Sequence, residues 1–112
     1  MIKLFEEYNQ YYTEISRLSD DWGIYVSFDK LPFNVDEHKY IMKNLSDIGY
    51  SNIYNDDDAI RIRFKPVVLD IYKDQDEWFW VARDTPRELT FYKCDQLEGL
   101  IKCLKDIYDK VV

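Results

Sequence analysis

The spacing of apolar and polar residues divides the chain into helical and extended stretches, most clearly from Val67 onward. Val67, Leu69 and Ile71 fall on one side of an extended segment, and Val68, Asp70 and Tyr72 on the other. A polar run, Lys73-Asp74-Gln75-Asp76, then predicts a turn. Residues 77–83 alternate again, with Trp78, Trp80 and Ala82 opposite Phe79 and Val81. Asp84-Thr85-Pro86-Arg87 predicts a second turn, in which Pro86 removes a backbone donor. Residues 88–94 form a third extended stretch, with Leu89 and Phe91 on one side and Thr90 and Tyr92 on the other. β-Branched and aromatic residues dominate, as a pleated surface favours. Turns this short join antiparallel neighbours, so the segment predicts a meander.

The period then changes. Leu97, Leu100, Ile101, Leu104, Ile107 and Tyr108 recur at three and four, the stripe of an amphipathic helix. Asp95 is placed to cap it, with Glu98 three residues on. Glu98 with Lys102, and Asp106 with Lys110, are acid-before-base pairs worth roughly 0.2–0.5 kcal/mol each. Gly99 costs about 1 kcal/mol against alanine inside a helix. Close packing against the sheet is the expected reason for it.

Earlier in the chain the pattern is weaker. Leu4, Phe5, Tyr8, Tyr11, Tyr12, Ile15 and Leu18 predict a helix over residues 2–18, its polar side carrying Glu6, Glu7, Gln10, Glu14 and Arg17. Ser19-Asp20-Asp21-Trp22-Gly23 ends it, and residues 24–28 predict a short edge strand or extended connection. Leu31-Pro32-Phe33 turns into a middle helix capped by Asn34 and Glu37, with Val35, Ile41, Leu45 and Ile48 as its core stripe, helped by His38 or Met42. Gly49 is well placed just past its end. Residues 50–54 predict a short strand and Asn55-Asp56-Asp57-Asp58 a turn. Residues 59–65 alternate, Ile60, Ile62 and Phe64 inward and Arg61, Arg63 and Lys65 outward, before Pro66 forces an edge or a sharp bend. The sum is an α+β fold: an antiparallel meander sheet of about four to five strands, with N-terminal, middle and C-terminal helices packed on it.

Length and composition sharpen this. At 112 residues a single domain, 1–112, is expected, large enough to bury a core without disulfides or metal. With 46% hydrophobic and 17% aromatic residues the chain is too rich for disorder. No apolar run is long enough to span a membrane, and Glu6 and Glu7 interrupt any leader-like stretch, so a cytoplasmic protein is expected. In that compartment Cys94 and Cys103 are expected to be reduced and partly buried. The net charge of −7 argues against direct binding to nucleic acid or to an anionic membrane.

Candidate chemistry is sparse. Asp56-Asp57-Asp58 and Asp74, Asp76, Glu77 lack the ligand spacing and glycine of a calcium loop. One histidine, His38, and two separated cysteines make no zinc site, and no local signature joins either cysteine to His38 as nucleophile and base. Three isolated glycines exclude the usual phosphate loops. The expectation is no catalytic residue, no metal and no cofactor. Surplus is more informative. Residues 67–94 are apolar on both sides, and helices cover one. An aromatic sheet face carrying Tyr72, Trp78, Trp80 and Tyr92 is therefore the expected binding surface for a protein partner or a second copy. The alternative surface is acidic: Asp20, Asp21, Asp56, Asp57, Asp58, Asp74, Asp76 and Glu77, which together would imitate a polyanion and inhibit a host DNA- or RNA-binding protein. A small acidic chaperone-like homodimer is a further alternative.

In wording, KLFEEYNQYYTEIS, DEWFWV and FYKCDQLEGLIKCLKD resemble small proteins of tailed phages, especially marine, T4-like ones. The resemblance covers about a third of the chain and supplies no functional residue. It implies a phage or environmental origin, a place in the host cytoplasm, and a protein that binds and modulates a macromolecule.

Overall fold

The structure, a computed structural model, describes residues 11–17, 29–56 and 58–111. Among them seven strands form one antiparallel sheet, with two helices. The strands are β1 (Thr13–Arg17), β2 (Lys30–Leu31), β3 (Ile53–Asn55), β4 (Ala59–Phe64), β5 (Val67–Asp74), β6 (Phe79–Asp84) and β7 (Leu89–Cys94). The helices are α1 (Val35–Ile48) and α2 (Leu97–Val111). Strands β3 to β7 follow one another as a meander, and β1 adds beyond β7, giving the order β1-β7-β6-β5-β4-β3. β2 pairs with the end of β5, where β4 has already stopped.

Register decides which side chains share a face. Ile60, Ile71, Val81 and Tyr92 stand in one cross-strand row. They join Ile41 and Leu45 of α1 and Leu100, Cys103, Leu104 and Ile107 of α2 in the main core. Val35 does not belong to it. It begins α1 at the helix's first turn and is 68% exposed, while Met42 and Ile48 complete the stripe from the core's margin. Tyr50, just past α1, ties the helices together. Its hydroxyl donates to the Leu104 carbonyl at 2.7 Å, and its ring packs edge-on against Phe64 and Tyr108.

The caps follow the sequence in one helix and not in the other. Asn34 and Glu37 form a complete capping box on α1: Asn34 Oδ1 accepts the Glu37 N–H at 2.8 Å, and Glu37 Oε1 accepts the Asn34 N–H at 2.9 Å. Gly49 closes the same helix at φ 120°. The expected cap at Asp95 is displaced. α2 opens at Leu97, and Gln96 supplies the first helical carbonyl, to the Leu100 N–H at 3.1 Å. Gly99 is indeed a close-packing residue, although its neighbour is the Tyr11 carbonyl, just ahead of β1, where a Cβ would collide.

The expected N-terminal helix is corrected over the part that is described. Thr13–Arg17 is a strand, paired with β7 from Thr13↔Lys93 to Arg17↔Leu89. Helical spacing of the apolar residues there coexists with strand alternation. Tyr12 enters the main core, whereas Ile15 packs on the other face. The open edge of β7 supplies ladder hydrogen bonds that outweigh local periodicity. Residues 2–10 and 18 of that helix, the turn at 19–23 and the strand or connection at 24–28 lie outside the described residues. Elsewhere the short strand expected over residues 50–54 is present as Ile53–Asn55, and the sheet is larger than anticipated because Lys30–Leu31 also pairs.

Candidate functional site

The site is built around the turn between β5 and β6. Lys73, read from the sequence as part of that turn, is instead buried in β5, and the loop is Gln75-Asp76-Glu77. The Glu77 N–H donates to the Asp74 carbonyl, and the Asp74 N–H to the Trp78 carbonyl, both at 3.0 Å. Glu77 sits at φ 65°, the left-handed position that lets a three-residue hairpin close. Asp74 then fastens the loop from inside. Its Oδ1 accepts the N–H groups of Asp76 and Trp78, each at 2.9 Å, and its Oδ2 accepts Trp80 Nε1 at 2.7 Å.

These bonds hold Trp78 at the surface in a fixed place. It is 37% exposed. Lys93 of β7 lies with Nζ 4.2 Å from the centre of its ring and 5.6 Å from that of Trp80. Such cation–π contacts contribute about 0.5–1 kcal/mol at an exposed site. Beneath, the rings of Trp80 and Tyr72 stack at 6.2 Å, and Phe91 meets Trp80 edge-on at 6.3 Å.

The expected open aromatic face is therefore corrected in two ways. Tyr92 lies on the other face, in the main core, because its cross-strand partner is Val81 and the partner of Trp80 is Lys93. Tyr72 and Trp80 share the expected face but are buried there, 0% and 9% exposed, in a second cluster with Ala82, Leu89 and Phe91. Both faces of the sheet are thus apolar and both are covered at its centre. Trp78 alone of the four keeps substantial exposure. Burial, then the negative charges of Asp74 and Asp70, pushes the Tyr72 hydroxyl far up. Burial does the same to Tyr92, against the pull of Arg83. Both stay protonated and neutral through the physiological range.

The acidic residues divide. Asp20, Asp21 and Asp57 lie outside the described residues. Asp56, Asp58, Asp76 and Glu77 are exposed, whereas Asp74 is used up holding the turn. The antiparallel register puts the β3–β4 and β5–β6 turns at the same end of the sheet, since Ala59 pairs with Tyr72. Sequence reasoning assigned no role to Lys93 or to Asp74 as a fastener. Lys93 was accessible only through register. Asp74 carried a signal, a turn-opening aspartate able to accept from the N–H two residues on.

Among the described residues, no three histidine, cysteine or carboxylate side chains are grouped to hold a metal ion. Cys94 and Cys103 are free and buried in the main core, and burial raises the Cys103 thiol, which works against a thiolate nucleophile. His38 packs at the surface with Nε2 3.0 Å from Asn55 Oδ1. No helix among the described residues is long and apolar enough to cross a membrane. Compared with known proteins, the chain matches no family model, no curated protein and no solved structure.

Proposed function

We propose that the chain is a non-enzymatic interaction protein that docks a protein partner on the β5–β6 turn, with Trp78 as the anchor and Lys93 beside it. The observation that carries this reading is the effort spent on presenting one tryptophan. A carboxylate takes three hydrogen bonds and a glutamate adopts a left-handed backbone to hold Trp78 half out of the sheet. Preorganised aromatic anchors lose little entropy on binding, and tryptophan leads the residues found at binding hot spots. The phage-like wording of the sequence supports a bacterial macromolecule as the target, in the host cytoplasm.

Affinity capture from a bacterial host lysate tests this, with wild type beside Trp78→Ala. A protein retained by wild type and lost from the folded variant supports the reading. Identical captured sets from both would end it. A second reading has one specific observation behind it. Two exposed acidic turns share one end of the sheet, as a polyanion mimic needs. In the same capture, Asp56→Asn with Asp58→Asn would then remove a nucleic-acid-binding protein that Trp78→Ala leaves bound.

A further inference from the structure

A different surface, the outer edge of β3, points to a second copy of this chain. Among the described residues β3 pairs only with β4. The Arg63 N–H donates to the Asn52 carbonyl at 3.2 Å, and the Asp56 N–H to the Ala59 carbonyl at 2.9 Å. Main-chain groups alternate along a strand, so those of Tyr54 turn toward β4, in line with the Asn52 carbonyl and the Asp56 N–H. The N–H and C=O groups of Ile53 and Asn55 therefore turn outward, at an edge that is open to pairing.

The two most exposed large hydrophobic residues flank this edge. Tyr54, 50% exposed, stands on one face of β3, under the Arg63 guanidinium at 5.5 Å. Val35 lies on the other face, one turn before His38 on the same side of α1, and His38 reaches Asn55 of β3.

We infer that β3 pairs antiparallel with β3 of a second copy about a two-fold axis at Tyr54, continuing the sheet across both molecules. The edge is self-complementary in two respects. Ile53 would face the partner's Asn55, and Asn55 the partner's Ile53, and each pair exchanges both main-chain bonds. Asp56 would come opposite the point where the partner's chain enters β3 at Asn52, a left-handed residue whose carbonyl accepts the N–H of Arg63 in the next strand. An acid and an arginine then share one row, roughly 10 Å apart along two strand spacings, within reach of the long arginine side chain. At 0.15 M salt the Debye length is about 8 Å, which screens most of the repulsion between two chains of net charge −7. The seam is short, below the roughly 1,200 Å² of stable complexes, so a dissociation constant on the order of 10–1,000 µM is expected.

Light scattering over that concentration range tests it, with circular dichroism to confirm folding. Wild type should rise from 13.6 kDa toward twice that mass. Asn55→Pro should stay at the monomer mass, because it removes an outward donor that β4 does not use. Asn55→Ala, which loses only the side-chain contact with His38, should associate like wild type. Tyr54→Glu should stay monomeric, since two carboxylates would meet at the axis, and it keeps the question answerable if the proline variant does not fold. Trp78→Ala should associate normally, which separates this surface from the partner site. A wild type that remains monomeric throughout overturns the inference and leaves the edge to a foreign strand. Association undiminished in folded Asn55→Pro, or in Tyr54→Glu, overturns it equally.

Discussion

Lys73 Nζ lies 2.8 Å from Glu37 Oε1, and the same oxygen accepts the backbone N–H of Asn34 at 2.9 Å. One carboxylate thus closes the capping box of α1 and neutralises a lysine buried in β5. It fixes the start of the helix to the end of the strand. Removing one member of a buried pair strands the other charge, which costs about 3–5 kcal/mol. Glu37→Ala should therefore lose at least that much, since the Asn34 N–H also loses its acceptor while the Asn34 side chain still caps the backbone N–H of residue 37. Lys73→Met should cost far less, because Glu37 keeps the Asn34 N–H. Urea denaturation of both variants gives the ordering, and equal losses would contradict this account.

Asp74 and Glu77 make opposite predictions at one turn. Asp74→Ala removes the acceptor of the Trp80 indole N–H and both bonds that fasten the loop, for a loss of roughly 2–4 kcal/mol. Glu77→Gly relieves a left-handed side-chain conformation and should gain about 0.5–1 kcal/mol. Thermal melts check both, and tryptophan emission should shift in the first variant only.

Gly99 is a test of tertiary contact against propensity. Alanine should favour helix α2 by about 1 kcal/mol on intrinsic grounds. Its Cβ would run into the Tyr11 carbonyl, which is backbone and cannot swing aside. Gly99→Ala is expected to destabilise by roughly 1–3 kcal/mol. A more stable variant in urea would show that the chain ahead of β1 does not hold that position.

Alkaline pH should unfold the protein through its tyrosines. Burial raises the hydroxyls of Tyr50, Tyr72 and Tyr92 well above their ordinary range. In the unfolded chain they titrate near 10. Their contribution is complete below about pH 10 and is lost as pH climbs toward the native values, because the unfolded state releases protons first. Each group steepens the loss by up to roughly 1.4 kcal/mol per pH unit. Denaturation midpoints at pH 8 through 11 measure this, and Tyr72→Phe should flatten the slope.

Much of the fold was legible in order along the chain. Strand alternation in Ala59–Phe64, Val67–Asp74, Phe79–Asp84 and Leu89–Cys94 reads directly, because a half-buried or buried pleat needs period two. The capping box at Asn34 and the stripe of α2 are equally local, since the atoms that satisfy a helix end lie within four residues of it. The apolar surplus on both sides of the sheet was visible too. What the sequence could not contain was pairing. Whether Tyr92 shares a face with Trp80 depends on a one-residue register between β6 and β7. Whether Thr13–Arg17 coils or extends depends on the free edge of β7, 72 to 80 residues away in the register. Lys73 met Glu37, and Lys93 met Trp78, only after the strands were laid side by side. Local bonds are written in short words of sequence. Faces, edges and buried charges are settled by long-range contacts, and those decided that Trp78 rather than Trp80 remained at the surface.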